Sequence, residues 1–553
     1  MPGLKKGAAS FLSATKLPNK GGAAMFQEIN QAVSEQVEAE RLQFAPGPDP
    51  ETGPDNGGNV LDHEGEPVPG AEVLKALQRN EDGDAELFVT LHSGRLVYDH
   101  AANRWYTWTG HHWEEDGTEE ALAGVNEVAD RYHAEMKRQA WIRGKAEMEG
   151  KKKQADRAEA VEKMLARRVR DLQTVRRKQA VLHLARAGAG SLGITGDEWD
   201  QDPWSLAVEN GVIDLQAGTF RPGTPGEYLR TFAPTPWEGV NAPCRTWEAT
   251  LESTFGSDGE LVAFVGRLAG YAITGKTIEA VMPILWGTGR NGKTVFLQAL
   301  ADVLGPDLAG PVEAELLLES RFTRQSGGPS SDLLYLRGRR LAWLSETNEN
   351  RRLNAGKVKL FTGGDFITGR APYAARQITF KPTHKIFLLT NHRPKADAQD
   401  VALWRRVLLI PFESVFVSDP DPTKPQERIA DLDLAEKLKA ERPGILAWLV
   451  KGCLAWQRDG LNAPGSVLAA TQKYKDDEDT IKMFLLDCCA EGPSRIVRAG
   501  EFYEAYKKWC EENGEKPGTN KKFGQYVSER YDGDKDNAGK FYMGVGLSSH
   551  DGT

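Results

Sequence analysis

Apolar runs of strand length alternate with helix-like patterns through the middle of the chain. Val281 to Trp286 is a short continuous apolar run, and Val295 to Leu304 has apolar positions at helical spacing. Further buried-strand patterns cover Arg339 to Glu346, Lys385 to Thr390 and Val407 to Pro411. This order of strands and helices predicts an α/β fold for the region.

Shorter strand patterns lie nearer the N-terminus, and three of them predict a small antiparallel meander. They contain Leu96 to Tyr98, Trp105 to Trp108 and His112 to Trp113. The aromatic side chains of the meander either form a core or stack on nucleic-acid bases. Trp204 to Phe220 predicts further strands joined by tight turns, and helices are predicted near Thr246 to Phe255 and Glu260 to Ala272.

A long helical stretch runs from Leu122 to about Ala187 and becomes strongly basic toward its end. Apolar residues at helical spacing show that it packs against something: Val161, Leu165, Val169 and Leu172. Its basic residues include Lys151, Lys152, Lys153, Arg167, Arg168, Arg170, Arg176, Arg177 and Lys178. They form either a solvated helix face or a contact with DNA.

The last ninety residues predict a compact group of helices followed by two strands. The helices lie near Thr480 to Ala490, Gly500 to Glu512 and Asn520 to Arg530, and the strands fall within Gly533 to Leu547. Lysines at the start of the third helix could meet DNA phosphates, although such a group of helices can equally bind protein: Lys516, Lys521 and Lys522.

The segment between the first apolar run and its helix has the spacing of a phosphate-binding loop. It reads Gly287, Thr288, Gly289, Arg290, Asn291, Gly292, Lys293 and Thr294. Glycines at both ends let the backbone curl and point N–H groups at phosphate oxygens. The lysine suits the β- and γ-phosphates, the hydroxyl suits Mg²⁺, and the following helix adds the positive end of its dipole. The alternative is a glycine turn between strand and helix.

Four further side chains stand where an ATP site needs them. Glu346 ends a buried strand and could hold Mg²⁺ or orient the attacking water, while Asn391 ends another and could sense the γ-phosphate. Arg405 and Arg406 could reach the ATP of a neighbouring subunit and offset transition-state charge. Taken singly, each has a plain structural alternative, such as a turn asparagine or a surface ion pair.

Composition restricts the number of domains, the kind of nucleic-acid surface and the cellular compartment that the chain can have. The 553 residues predict two to four domains, and the formal charge of −9 confines any nucleic-acid surface to local patches. The five cysteines have neither zinc nor disulfide spacing, which indicates a reducing cytoplasm and excludes a zinc-ribbon module. No apolar run is long enough for a membrane span, and Met1 to about Gly70 is predicted to be a disordered arm.

From about Glu86 onward, the motifs in this order resemble the superfamily 3 helicase half of phage and plasmid primase-helicases, which are related to the poxvirus NTPase-primase. The resemblance rests on the loop Gly287 to Thr294, Ser345-Glu346-Thr347, Gly363-Gly364-Asp365, Leu389-Thr390-Asn391 and Trp404-Arg405-Arg406. It also includes Trp105 to Trp113 and Asn210 to Leu215. Ser345 departs from the pattern of many members, which have a second acid there.

The resemblance implies an ATP- and Mg²⁺-dependent motor that forms a hexameric ring and travels along single-stranded DNA at a fork. Lys293 and Thr294 would bind phosphate and Mg²⁺, Glu346 would serve Mg²⁺ and water, Asn391 would be the sensor, and Arg405 or Arg406 the finger acting between subunits. A hairpin within Phe366 to Pro382 would line the ring and grip the DNA backbone. Its candidate side chains are Arg370, Tyr373, Arg376 and Lys381.

The predicted architecture is an AAA+-like P-loop NTPase core between an N-terminal α+β domain and a C-terminal winged-helix domain. Its segments are an arm (1–70), the N-terminal domain (71–240), the ATPase domain (241–420, with a helical collar over 241–280), a helical connector (421–465) and the winged helix (466–553). The Asp82-Gly83-Asp84 sequence is interpreted as a glycine turn, so we expect no primer synthesis and a separate primase or polymerase as partner.

The predicted function is that of a replicative DNA helicase of a phage or mobile element, acting in the host cytoplasm. Two alternatives remain. The first is a P-loop ATPase that remodels protein or packages DNA without separating strands. The second is a DNA-binding initiator that uses ATP only as an assembly switch.

Overall fold

A computed structural model describes residues 69–256, 258–319, 330–346, 351–372 and 377–548. The chain divides into two compact units, which are treated separately below. The first contains the residues up to Thr109 together with Trp113–Trp199, and the second contains Gly110–His112 and the residues from Asp200 onward. None of the helices in the described ranges is long and apolar enough to cross a membrane.

The first unit combines five helices with a four-stranded sheet. The helices are α1 (Gly70–Gln78), α2 (Asn80–His92), α3 (Glu120–Met148), α4 (Lys152–Leu172) and α5 (Val175–Ala185). The strands are β1 (Leu96–Asp99), β2 (Arg104–Trp108), β3 (Trp113–Glu115) and β4 (Gly193–Ile194), in the order β3-β2-β1-β4. The strands β1 to β3 are antiparallel, which confirms the predicted meander, and β4 adds a parallel edge.

The interpretation of Asp82-Gly83-Asp84 as a glycine turn is wrong, because these residues lie inside α2. Glycine is needed at position 83 for packing: a Cβ atom there would lie 1.9 Å from the carbonyl oxygen of Ala76 in α1. Asp84 is fully buried and accepts hydrogen bonds at 2.6 Å from Arg168 and from Arg177. Two members of the basic stretch are therefore interior ion-pair partners.

The second unit begins with a small sheet and a helical layer. Its sheet contains β5 (Ser205–Val208), β6 (Gly211–Asp214), β7 (Thr219–Arg221) and β8 (Phe232–Ala233), with a 3₁₀ turn at Pro225–Glu227. The strand order is β7-β6-β5-β8, and β5 to β7 are antiparallel as the turn signals predict. Two helices follow, α6 (Arg245–Phe255) and α7 (Gly259–Ala272).

A five-stranded parallel sheet forms the centre of the second unit. Its strands are β9 (Met282–Trp286), β10 (Ala309–Pro311), β11 (Leu341–Glu346), β14 (Lys385–Thr390) and β15 (Val407–Pro411), in the order β10-β11-β14-β9-β15. The helices among them are α8 (Lys293–Leu308), α9 (Ser331–Leu334), α10 (Ala355–Thr362) and α11 (Val401–Trp404), with a 3₁₀ turn at Ala314–Leu316. A separate antiparallel hairpin joins β12 (Ile367–Gly369) to β13 (Ile378–Phe380).

Both faces of this sheet are covered, which explains why its strands read as continuous apolar runs. Along β14, Phe387 and Leu389 belong to an apolar cluster that includes α6, α7 and α8, whereas Ile386 and Leu388 belong to a second cluster that includes α10 and α11. Alternate residues of each central strand thus point into opposite cores.

The C-terminal part follows a short parallel pair, β16 (Val415–Val417) with β17 (Glu427–Ile429). The remaining helices are α12 (Leu434–Ala440), α13 (Arg442–Asp459), α14 (Gly465–Asp477), α15 (Thr480–Cys488), α16 (Ala499–Glu512) and α17 (Asn520–Ser528). The segment 421–465, predicted to be a helical connector, therefore also contains a strand, β17.

Three antiparallel strands complete this end of the chain: β18 (Cys489–Arg498), β19 (Gly533–Asp536) and β20 (Gly539–Leu547), in the order β18-β20-β19. The three helices and the two final strands form where the sequence predicts them. The strand β18 is not predicted from the sequence, because most of its side chains are exposed or half-buried and it has no apolar alternation.

Candidate nucleotide-binding site

The predicted phosphate loop connects β9 to α8 at the carboxyl edge of the parallel sheet. The last residue of β9, Trp286, pairs with Thr390 of β14 on one side and with Pro411 of β15 on the other. Ligands of open parallel sheets bind outside the carboxyl ends of the strands. The loop therefore lies at the edge of the sheet where a ligand is expected.

The backbone of the loop explains where glycine is required. Gly289, Arg290 and Gly292 have φ angles of +109°, +52° and +83°, so the chain curls through the left-handed region just before the helix. At Gly287 the constraint is space, because a Cβ atom would lie 2.5 Å from the carbonyl oxygen of Phe412. Glycine is thus required at position 287 because a side chain would not fit and at position 292 because of its positive φ angle.

Lys293, the first residue of α8, is only 7% exposed and is surrounded by neutral oxygen atoms. Its Nζ donates to the carbonyl oxygen of Gly287 at 2.8 Å and to the Oδ1 atoms of Asn291 and Asn391, each at 3.2 Å. Burial lowers the pKa of this lysine. An anionic phosphate oxygen would be a stronger acceptor than any of the three, since charge-assisted hydrogen bonds are roughly twice as strong as neutral ones.

Asn291 is a site residue whose separate role the sequence did not reveal, because the motif leaves its position free. Its side chain is buried, donates from Nδ2 to the carbonyl oxygen of Ser414 at 2.8 Å, and accepts from the N–H of Gly289. The amide therefore fixes the inside of the loop to the segment after β15 and offers Lys293 an acceptor.

Glu346 and Asn391 come together at the same edge through strand register. Glu346 is the last residue of β11 and pairs with Thr390, which in turn pairs with Trp286. The Glu346 side chain and Thr347 lie outside the described part of the structure. Ser345 is exposed, and Thr294 is exposed in the first turn of α8.

The residues at this edge fit Mg²⁺-ATP. Mg²⁺ prefers one or two protein oxygen ligands and completes its shell with phosphate oxygens and water. The exposed Thr294 hydroxyl can supply one ligand, and strand register brings the backbone of Glu346 to the same edge. No group of three or more His, Cys, Asp or Glu side chains that could hold a metal occurs among the residues covered by the structure.

The two predicted finger arginines lie at the opposite end of the sheet from the loop. The carbonyl oxygen of Arg406 accepts a hydrogen bond from the N–H of Met282, the first residue of β9, at 2.7 Å. The length of β9, about 13 Å at 3.3 Å per residue, separates that point from the loop. The structure therefore does not bring Arg405 and Arg406 together with Lys293 in one chain.

Their side chains also differ. Arg406 is half-buried and donates from Nη1 to the carbonyl oxygen of Ala402 at 2.7 Å. Arg405 is exposed, and in the part of the chain that is described its guanidinium makes no hydrogen bond or ion pair. Arg405 is thus the more available of the two.

The predicted hairpin forms, with Thr368 facing Thr379 across β12 and β13. Arg370 is half-buried and its N–H donates to the hydroxyl of Ser330 at 2.8 Å, whereas Lys381 is exposed. Tyr373 and Arg376 lie outside the described residues. Phe366, directly before β12, is an aromatic side chain that is 68% exposed.

The segment directly after Asn391 makes polar contacts with the C-terminal part of the unit. Arg393 pairs with Asp477 at 2.8 Å, Lys395 pairs with Glu515 at 2.8 Å, and the N–H of Ala396 donates to Glu478 at 2.8 Å. Further contacts join Tyr474 to the carbonyl oxygen of Pro394 and Lys522 to Asp397. Asn391, which accepts a hydrogen bond from Lys293, is therefore followed directly by residues that contact the C-terminal helices of the unit.

Fold and site together define a mixed α/β protein with a strand–loop–helix arrangement at the carboxyl edge of a parallel sheet. Comparison with family models matches residues 85–256 to the family described as "D5 N terminal like" and residues 476–532 to "Poxvirus D5 protein-like". Two separate segments of the chain are thus similar to D5-like proteins.

Several viral proteins are similar over part of the chain. A protein of Acanthamoeba polyphaga mimivirus, named as a helicase, is 29% identical and covers 57% of this chain and 34% of the relative. A protein of Frog virus 3 (isolate Goorha), also named as a helicase, is 30% identical, and the match covers 60% of this chain and 41% of the relative. A protein of African swine fever virus, named as a primase, is 26% identical, and the match covers 42% of this chain and 25% of the relative. The names assign an activity to these relatives. The chain spans between a quarter and about two-fifths of the length of each relative.

Among solved structures, the apo C-terminal region of NrS-1 is similar with a TM-score of 0.45 and 11% identity. The similarity covers 85% of this chain and all of that one.

Proposed function

We propose that the chain is an ATP-dependent DNA helicase, the superfamily 3 motor part of a replication protein from a virus, phage or mobile element. The observation that carries the proposal is the environment of Lys293, which holds an ammonium group between the loop and Asn391 with neutral acceptors only. The matches of two segments to D5 family models and the names of the similar viral proteins support the same function.

The chemistry proposed for the site is phosphoryl transfer to water. Lys293 would exchange its neutral acceptors for β- and γ-phosphate oxygens, and Thr294 and Glu346 would hold a Mg²⁺ ion, which would neutralise charge on the phosphates. Glu346 would also orient the attacking water, and Asn391 would contact the γ-phosphate. Positioning and electrostatic stabilisation account for most of the catalysis in reactions of this class.

We infer that the site is completed by the next subunit. An arginine at the amino end of the sheet cannot serve the loop at the carboxyl end of the same sheet, but a head-to-tail neighbour could present it. Such a heterologous interface closes into a ring, and six is the number implied by the resemblance. The exposed Arg405 is the preferred finger, since Arg406 is bonded within its own chain.

The proposed path of the DNA uses the β12–β13 hairpin, with single-stranded DNA at a fork as the ligand. Arg370, Tyr373, Arg376 and Lys381 would contact phosphates, and Phe366 could stack on a base. The order helix, strand, helix, helix and two strands over α15 to β20 supports a winged-helix domain at the end of the chain.

A forked duplex with one fluorescent strand tests the proposal. The full chain with Mg²⁺ and ATP should release the labelled strand, and the Lys293→Ala chain should not. Strong DNA-stimulated hydrolysis without strand release would favour a remodelling or packaging ATPase instead. Assembly with nucleotide but negligible turnover would favour an initiator that uses ATP as a switch.

Primer synthesis is a separate question, since one of the similar viral proteins is named as a primase. Our prediction remains that this chain makes no primers and works beside a separate primase or polymerase. Template-directed incorporation of labelled nucleotides by the purified chain would contradict it.

A further inference from the structure

The C-terminal half of α3 carries an exposed stripe of alternating cations and apolar side chains, and the turn to α4 adds further lysines beside it. On α3 the stripe contains Lys137, Trp141, Lys145 and Met148, spaced three or four residues apart, so these side chains lie on one face. Trp141 is 66% exposed and Met148 is 90% exposed. Neither side chain belongs to the core of the unit.

The charges around this stripe are strongly one-sided although the whole chain is acidic. Residues 137–153 contain seven Lys and Arg residues and two Glu residues, in a chain whose net charge is −9. Both glutamates have basic neighbours: Glu149 pairs with Lys151 at 2.7 Å, and Glu147 lies 3.9 Å from Arg143. A third carboxylate, Glu162 of α4, also pairs with Arg143, at 2.9 Å.

Several cations in the stripe or beside it, at the start of α4, remain available to a ligand. Lys145 lies over the ring of Trp141, with its Nζ 5.3 Å from the ring centroid. Across the ranges that the structure covers, the ammonium groups of Lys137, Lys152 and Lys153 make no hydrogen bond or ion pair. They differ in this from Arg168 and Arg177 of the same basic stretch, which are bonded to the buried Asp84.

We propose that this stripe, with Trp141 at its centre, binds a single strand of DNA. Sequence-independent binding of single strands combines aromatic rings that stack on bases with cations that follow the phosphates. Successive members of the stripe are separated by about 4.5 to 6 Å along the helix axis, so Trp141 and its neighbouring cations lie about one helical turn apart. The positive charge fits a polyanion.

Two other partners fit the stripe less well. A membrane surface requires a broad apolar helix face, and here only Trp141 and Met148 are apolar. A protein interface is normally depleted of lysine at its centre, whereas lysines flank Trp141 here. The inference shares its DNA ligand with the proposed function, but it requires neither ATP hydrolysis nor strand separation.

The test uses the full-length chain carrying Lys293→Ala, so that the motor is silent, with a labelled oligothymidylate and no nucleotide. Adding Trp141→Ala should weaken binding about 5- to 150-fold, the range found for loss of one stacked base, and Trp141→Phe should retain most of the binding because it keeps a ring. Lys145→Ala should reduce the slope of log K against log[salt] by about 0.7.

Arg167→Ala is the matched control, since it removes one charge from a side chain that is 78% exposed elsewhere on α4, and it should change neither quantity. Unchanged affinity of the Trp141→Ala chain would overturn the inference. So would an effect of Trp141→Ala confined to binding of anionic vesicles or to self-association.

The two proposals can fail separately. A chain that unwinds forks but is indifferent to Trp141→Ala would leave the proposed function standing and refute this one. A chain that unwinds nothing but loses oligothymidylate binding with Trp141→Ala would do the reverse.

Discussion

The parallel sheet has a buried lysine at each end, and the two have different surroundings. At the carboxyl end, Lys293 donates to one backbone carbonyl and to two side-chain amides. At the amino end, Lys385, the first residue of β14, donates to the carbonyl oxygens of Thr274, Lys276 and Thr383. Burial lowers the pKa of both lysines, and no carboxylate within the described residues pairs with either.

The difference lies in what can move. Lys385 is held by backbone carbonyls alone, with the ring of Tyr271 5.0 Å from its Nζ, and beside it Arg340 is also fully buried and bonded to three carbonyls. Lys293 lies beside a partly exposed loop and depends on the fixed amide of Asn291 and on the half-buried amide of Asn391, which can rotate away. Two buried lysines of the same type therefore have different expected roles: one fixes the fold, and the other is free to exchange its partners for phosphate.

The largest expected effect comes from Arg405, at the amino end of the sheet but exposed. We expect Arg405→Ala to slow hydrolysis about 10³- to 10⁵-fold at saturating ATP, because it removes the charge that offsets the transition state. This corresponds to about 4 to 7 kcal/mol of barrier. Steady-state phosphate release measures the rate, and fluorescent ATP-analogue binding should be retained. The half-buried Arg406 should matter less, and the reverse ranking would reassign the finger.

Lys293→Ala should reduce kcat by at least about 10²- to 10³-fold, the effect of losing one preorganised donor to developing charge. The urea midpoint should stay close to that of the wild-type chain, because the acceptors left without their donor are neutral, the Asn291 amide keeps its other two hydrogen bonds, and the half-buried Asn391 amide can turn to water. A large loss of stability would remove the distinction between the two lysines.

Lys385→Met should produce the opposite pattern. It leaves three backbone carbonyls without their donor, which costs about 1–3 kcal/mol, while the loop is untouched. Urea denaturation followed by tryptophan fluorescence measures the loss. Hydrolysis per folded molecule should be unchanged, and a variant of full stability with impaired turnover would assign Lys385 a role in the reaction.

The smallest loss of turnover among the variants of the site is expected from Asn391→Ala, which removes one acceptor from Lys293 and the proposed contact with the γ-phosphate. A hydrogen bond to a charged group is worth about 1.5–3 kcal/mol, so hydrolysis should fall by about 10- to 150-fold. Asn391→Asp is the informative partner: a carboxylate would hold the ammonium by charge and repel the phosphates, so ATP affinity should fall further. Equal affinities of the two variants would contradict this placement of Asn391.

Much of the fold could be predicted from the sequence, because local patterns determined it. The strands of the parallel sheet are apolar along their length since both faces are covered, and the glycines of the loop mark a backbone that other residues cannot follow. Patterns of this kind need no knowledge of distant partners. The meander, the hairpin and the helices of the C-terminal part were identified in the same way.

Other features depend on partners far away in the chain. The sequence predicts Asp84 in a turn because the adjacent Gly83 is typical of a helix break. The structure instead has Gly83 packed against α1, and Asp84 pairs with two arginines more than eighty residues later in the chain. The same contacts separate Arg168 and Arg177 from the lysines near Trp141, which a count of charges cannot do. The contacts of Arg393 and Lys395 with the C-terminal helices were hidden for the same reason.

We propose that the two ends of the sheet form two halves of one ATP site in neighbouring subunits. A titration of Arg405→Ala chains into Lys293→Ala chains tests it most directly, with phosphate release as the readout. Each variant alone should be nearly inactive, and mixtures should regain activity because some interfaces then join an intact loop to an intact arginine. Maximal recovery is expected near equal amounts. No recovery at any ratio, with mixed assembly verified by differently labelled chains, would contradict the account.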